Sequence, residues 1–170
     1  MCGEPDGAVL ESPLWKSYYR GMAVEMVRRG AGKKFPSRKF KKIAAIVLEL
    51  TGRENTELSL ALIGNAEMRK LNAKYRRKDY PTDVLSFPAG EHLPADAWLL
   101  GDVIISVEKA AERAKEREHT LDQEMVTLLI HGVVHLLGYD HERSTKDARV
   151  MKRLERKIRR QLCERGLIEV

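Results

Sequence analysis

The sequence predicts an α+β fold in a single domain, a small mixed sheet of about four strands packed with about five helices. Three observations point there. The chain has 170 residues, enough for one sizeable core and short for two. Several segments carry apolar residues at helical spacing between recognisable caps. Short apolar runs lie among those segments without the strict strand–helix alternation of a doubly wound sheet.

Residues 1 to 20 have no clear period and are punctuated by Gly3, Pro5, Gly7 and Pro13. They are expected to form an N-terminal extension to a single domain over residues 21–170. Ala23 to Val27 is the first expected strand. Pro36 and Ser37 open a helix through Leu50, with Phe40, Ile43, Ala44, Val47 and Leu50 on one stripe. Glu57 to Ile63 alternates in part and reads as a strand. Asn65 is expected to cap a helix carrying Met68, Leu71, Asn72 and Tyr75 on adjacent turns. Val84 to Phe87 is a short strand, Pro88 to Leu100 a long loop, and Asp102 to Ile105 a further strand. Ser106 caps the next helix, whose Val107, Ala110, Ala111 and Ala114 share a face. Thr120 with Gln123 forms a capping box. It starts a strongly apolar helix, about 121 to 137, that Gly138 terminates. Ser144 with Asp147 starts the last helix, where Met151, Leu154, Ile158 and Leu162 form a seam up to Gly166.

Hydrophobic residues make up 43% of the chain and charged residues 33%, a globular balance. Cys2 and Cys163 are the only cysteines, which excludes a disulfide framework and a Cys-based zinc finger. No apolar run reaches the length of a membrane span. The first residues lack a signal-peptide core, and Glu4, Asp6 and Glu11 argue against a transit peptide. The expectation is a cytoplasmic protein. Lys and Arg number 31 against 25 Asp and Glu, a net charge of +6, which favours an anionic partner.

The chemistry-bearing segment runs from His131 to His141. His131 and His135 are four residues apart, so their imidazoles project from one face of the apolar helix. Gly138 can take the left-handed conformation that turns the chain back, letting His141 approach the other two. Three neutral imidazoles converging on one point make a divalent-metal site, best suited to Zn²⁺. Three protein ligands leave a fourth position open, which marks a catalytic site rather than a structural one. A bound metal lowers the pKa of water to about 7. The helix is zincin-like in carrying the first two ligands, but Gly132 stands where zincin proteases carry their general-base Glu. Asp140 and Glu142 are not at that helical position. Asp140 suits a supporting hydrogen bond to a ligand histidine.

The run His131-Gly-Val-Val-His135-Leu-Leu-Gly138-Tyr-Asp-His141 resembles the signature of the YbeY family of rRNA maturation factors and metallo-endoribonucleases. Two further blocks agree, Leu71 to Pro88 and Gly101 to Ser106, in the same order and spacing. The resemblance covers about Ala23 to Leu167, with Val134 standing where the motif commonly has Leu. It implies one zinc ion per chain held by His131, His135 and His141, with His131 also part of the catalytic machinery. It further implies that Arg76 is the functional arginine. A guanidinium beside a metal-lined cleft can clamp a phosphate through two hydrogen bonds and stabilise charge growing on it. Residues 1 to 20 depart from the family core. Thr82, Asp83 and Ser86 fall in a family block and are read as holding the turn and strand beside the metal. His92 and His119 are read as loop or surface residues, and Cys163 as a packing thiol.

Arg28 to Lys42 contains eight Lys or Arg residues and no acid. With the basic last helix, it suits a phosphate backbone bound without sequence preference. Aromatic residues are only 6% of the chain, too few for an extensive base-stacking platform. The resulting expectation is zinc-dependent cleavage of single-stranded RNA in ribosomal RNA maturation, by hydrolysis or transesterification. The resemblance narrows this to small-subunit rRNA 3′-end processing and ribosome quality control. The alternative is a non-catalytic assembly factor with a structural zinc. It would bind pre-rRNA together with a small-subunit ribosomal protein or a ribosome-associated GTPase. A metalloprotease ranks third, because Gly132 replaces the catalytic Glu.

Overall fold

The computed structural model describes residues 24–89, 98–139 and 144–169. The expected N-terminal extension, His92, Asp140, His141 and Glu142 lie outside those residues.

The described chain runs β1 (Val24–Arg28), a 3₁₀ turn (Gly30–Lys34), α1 (Ser37–Leu50), β2 (Glu57–Ile63), α2 (Asn65–Arg76), β3 (Val84–Pro88), β4 (Leu99–Ser106), α3 (Val107–Glu116), α4 (Leu121–Leu136) and α5 (Thr145–Glu164). The four strands make one mixed sheet in the order β1-β2-β4-β3. β1, β2 and β4 are parallel, and β3 closes one edge antiparallel to β4. The α+β expectation therefore holds, strand for strand and helix for helix.

Alternation along the strands builds two unequal cores. Leu58, Leu60, Leu62, Val103 and Ile105 face α1, α4 and α5 and join the large cluster. Ile63, Leu85 and Ile104 face the other way, onto Met68 and Leu71 of α2. α4 is the centre of the large core. Met125, Leu128, Leu129, Ile130, Val133 and Val134 are each 3% exposed or less, and each such side chain contributes about 1.5–3 kcal/mol. The capping box at its start is complete. Gln123 N–H donates to Thr120 Oγ1 at 3.2 Å, and Thr120 N–H donates to Gln123 Oε1 at 2.8 Å. Gly138 follows the helix with φ +89°, in the left-handed region where glycine is favoured.

Three local expectations are corrected, and one turn is added. Asn65 does not cap α2: the cap residue is Gly64, and Asn65 is the first helical residue. Its N–H is met instead by Glu108 Oε2 of α3 at 2.6 Å, while its Oδ1 accepts from Ser106 Oγ at 2.7 Å. The expected loop to Leu100 ends sooner, because Leu99 and Leu100 already belong to β4, Leu99 opposite Glu57. The first strand continues one residue further than expected, to Arg28, and Ala23 lies outside the described residues. The turn at Gly30–Lys34 went unread because the basic cluster masks it. Arg28 Nη1 donates to the Phe35 carbonyl at 3.0 Å and to the Lys33 carbonyl at 3.3 Å, which staples that turn to the strand.

Candidate active site on the polar stripe of α4

An otherwise apolar α4 carries one polar stripe, Glu124, Thr127, His131 and His135. At its C-terminal end the structure brings the two histidines together. Their Nε2 atoms are 3.1 Å apart, with the rings edge to face at 4.6 Å between centroids. His131 Nδ1 lies 2.7 Å from Glu155 Oε1 of α5. The carboxylate accepts the Nδ1 proton, which fixes the tautomer and leaves the Nε2 lone pair aimed at His135. Two imidazole nitrogens this close need a proton or a cation between them. Two nitrogens on one tetrahedral zinc would sit about 3.3 Å apart, given Zn–N bonds of about 2.0–2.1 Å. The donor set thus fits a divalent metal. His131 is 31% exposed at its side chain, so the pair opens to solvent. Among the described residues no third ligand completes a cluster, and His141 lies outside them.

Gly132 explains the missing protease base in packing terms. A Cβ there would stand 2.7 Å from Val103 Cγ1 of β4 and 3.1 Å from Ser86 Oγ of β3. The helix lies directly on the sheet at this point, and even a Cβ would force Val103 to shift where a zincin carries Glu.

Arg76 is exposed in the last turn of α2, on the opposite face of the sheet from α4. The preceding Tyr75 packs edge to face on Phe87 of β3 with centroids 5.0 Å apart. That contact fixes the end of α2 at the β3 edge. Beyond it, Arg77 adopts φ +58°, and Asn72 Nδ2 donates to the Tyr80 carbonyl at 2.7 Å. Asp83 meets the structural role expected of it. Its Oδ1 accepts from Val84 N–H at 2.9 Å and from Thr82 Oγ1 at 3.0 Å, and its Oδ2 pairs with Arg113 of α3.

Two carboxylates escaped the reading of the sequence. One is Glu155. The other is Glu124, fully buried at the N-terminal end of the stripe. Glu124 Oε1 is 3.1 Å from Arg113 Nε and 3.4 Å from Arg117 Nη1, and its Oε2 is 3.3 Å from His119 Nδ1. His119 is the exposed loop residue expected, and it is also a partner of this carboxylate.

The basic residues divide. Arg28 is spent on the 3₁₀ turn, and Arg29 pairs with Glu67 at 3.3 Å. Lys33, Lys34, Arg38, Lys39 and Lys42 are exposed. They follow β1, at the far edge of the sheet from β3. Three strand spacings, about 15 Å, separate the two edges. Lys152, Arg153, Arg156 and Lys157 are exposed on α5 and flank Glu155 in sequence. Among the described residues no helix is long and apolar enough to cross a membrane.

Known proteins resemble this chain over most of its length. A family model described as Endoribonuclease YbeY matches residues 28–163. The endoribonuclease YbeY of Aquifex aeolicus is 45% identical over 117 residues, 69% of this chain and 77% of that protein. That of Persephonella marina is 42% identical over 135 residues, 78% of this chain and 88% of that protein. That of Myxococcus xanthus is 40% identical over 169 residues, 96% of this chain and 54% of that protein. The solution structure of TM1509 from Thermotoga maritima superposes with a TM-score of 0.53 at 25% identity, covering 86% of this chain and 96% of that one.

Proposed function

This chain belongs to the endoribonuclease YbeY family, and we propose that it is a zinc-dependent endoribonuclease cutting single-stranded RNA during ribosomal RNA maturation. Its task in this reading is small-subunit rRNA 3′-end processing and ribosome quality control in the cytoplasm. The observation that carries it is the solvent-facing pair of histidine nitrogens 3.1 Å apart, with His131 held by Glu155. His131 and His135 hold the ion together with His141, within a domain spanning residues 21–170. When bound, zinc supplies Lewis-acid polarisation of a phosphate and an activated water. Glu155 keeps the His131 ring oriented through Nδ1. Arg76 binds the phosphate and offsets the charge that grows on it during cleavage. The exposed bases of α5 and of the segment after β1 hold the RNA backbone on either side. A small-subunit ribosomal protein and a ribosome-associated GTPase are the protein partners of this reading.

The test is cleavage of a labelled single-stranded rRNA fragment by the wild type and by Arg76→Ala, prepared identically. Arg76 is exposed at a helix end, so its loss spares the fold. Discrete cuts by the wild type and their loss in the variant are expected, with zinc content unchanged. Equal cutting by both would remove Arg76 from the mechanism. No cutting by either would favour the assembly-factor reading, in which RNA binding persists without cleavage. The protease reading is disfavoured by the tight packing at Gly132.

A further inference from the structure

The free edge of β3 carries a donor pair where α4 passes over it at Gly132. In the antiparallel pairing of β3 with β4, Ser106 N–H donates to the Asp83 carbonyl at 2.9 Å and Ala89 N–H donates to the Leu100 carbonyl at 3.1 Å. These bonds fix the alternation of the ladder. Asp83, Leu85, Phe87 and Ala89 turn their amides toward β4, while Val84, Ser86 and Pro88 turn theirs outward. An open edge normally invites another strand, and proteins close it off. Here Val84 N–H is taken by Asp83 Oδ1 at 2.9 Å, and Pro88 has no N–H. Ser86 is thus the one β3 residue whose main-chain N–H faces outward without a partner among the described residues. Its hydroxyl is likewise without one. One open donor cannot pair a strand, but an amide and a hydroxyl on one residue suit an anion.

The location of that pair is set by α4. Ser86 Oγ lies 3.1 Å from where a Cβ on Gly132 would stand, beside His131 in sequence. The N-terminal end of the polar stripe of α4 is tied to this edge through α3. Its Glu124 meets Arg113, which in turn pairs with Asp83, the residue that leads into β3. His131 and His135 continue the same stripe, on the flank of the helix between the Ser86 contact and Glu155 of α5.

We infer that Ser86 is a substrate-binding residue, its main-chain N–H and Oγ–H donating to a non-bridging phosphate oxygen of an RNA strand that lies along β3. This rests on the endoribonuclease reading, and it gives Ser86 a role beyond holding the strand. Two charge-assisted hydrogen bonds would orient the phosphate next to the histidines, opposite Arg76 arriving from the end of α2.

Ser86→Ala removes the hydroxyl and keeps the amide. Ser86→Pro removes both, and proline is tolerated on an edge strand where the amide points outward. Cleavage of the single-stranded rRNA fragment is measured for the wild type and both variants. Zinc content, thermal unfolding and equilibrium binding of the same RNA at low temperature are measured alongside. Expected are a loss of kcat/KM of about tenfold for Ser86→Ala and about a hundredfold for Ser86→Pro. Zinc content should be unchanged and the unfolding temperature within a few degrees. Ser86→Ala alone decides if the proline variant unfolds. Wild-type kinetics in a folded Ser86→Ala and Ser86→Pro would overturn the inference and leave the endoribonuclease reading intact. If the wild type does not cut, that reading fails, and the binding titration decides for Ser86. RNA binding weakened by the same substitutions keeps the phosphate contact, and equal binding by all three proteins ends it.

Discussion

Glu124 and His131 stand on one stripe of one helix, two turns apart, and the surroundings make them opposites. Glu124 is fully buried and ringed by Arg113, Arg117 and His119. Its charge is answered by fixed protein groups, and nothing is left to offer a ligand. The links through Arg113 to Asp83 tie α4 to α3 and to the start of β3. His131 is partly open, and with Glu155 at its Nδ1 its Nε2 faces the Nε2 of His135. Thr127 lies between them, its hydroxyl donating to the Gln123 carbonyl at 2.7 Å and accepting from Arg159 of α5. A polar group on a buried helix is therefore a fixture when its partners complete it, and a site when its lone pairs converge on space.

Removing the fixture should give the largest stability effect. Glu124→Ala leaves Arg113, Arg117 and His119 without their shared acceptor. A fully buried pair would lose about 3–5 kcal/mol. Arg113, Arg117 and His119 are about a third to a half exposed and can rehydrate, so about 2–3 kcal/mol is expected. In a domain of this size that is a fall of roughly 5–10 °C in unfolding temperature. RNA cleavage per folded molecule, measured below the transition, should stay near wild type. An unchanged melt would show that the cluster holds nothing.

Glu155→Gln probes the other end. The amide still fits beside His131 but no longer fixes its tautomer as a carboxylate does. Zinc affinity and cleavage should both fall by about 10–100-fold, as for other carboxylates supporting a ligand histidine. Urea unfolding of the metal-free protein should be nearly unchanged, since Glu155 is 25% exposed. An equal loss of stability and affinity would make Glu155 a fixture like Glu124.

Gly132→Ala tests the close approach of α4 to the sheet between the two ends. The added methyl meets Val103 Cγ1 at 2.7 Å. Overpacking of this kind costs about 1–3 kcal/mol, offset in part by alanine's better helix propensity, about 1 kcal/mol. A net loss near 1 kcal/mol in urea unfolding is expected, and a gain would show that the sheet yields.

The smallest effect belongs to the exposed pair Arg69 and Asp79, joined by two hydrogen bonds of 2.7 Å. The hydrogen bond from Arg69 holds the Asp79 carboxyl below its usual range, against a little desolvation. A carboxyl lowered in the folded state stabilises above its unfolded pKa, and that contribution is lost as pH falls through the folded value. Asp79→Asn should flatten the acid limb of stability slightly below about pH 4. An identical limb in both proteins would mean that the pair adds nothing.

The legible parts of the sequence were those decided locally. The capping box of Thr120 and Gln123, the cap at Ser144 and the stop at Gly138 use neighbours in the chain, and each stands where expected. So does the pairing of His131 with His135, which needs only helical spacing. Features decided across the fold were missed. Asn65 looked like a cap, but Glu108 from α3 supplies the acceptor. Leu99 looked like loop because its partner Glu57 lies far away in sequence. Glu155 acquires its role from His131, 24 residues away in sequence. The available sign was its place on the seam, four residues after Met151 and three before Ile158, both buried. Glu124 stands in the first turn of α4, where the helix dipole alone favours an acid, so its sequence position does not reveal the buried cluster. His141 as third ligand and Arg76 as phosphate clamp rest on the proposed function.

The most direct test of the division of α4 is bound zinc per chain in wild type, His131→Ala and Glu124→Ala, purified together and assayed below every unfolding transition. One ion is expected in the wild type and in Glu124→Ala, and none in His131→Ala. Zinc retained without His131, or absent from a folded Glu124→Ala, would contradict it.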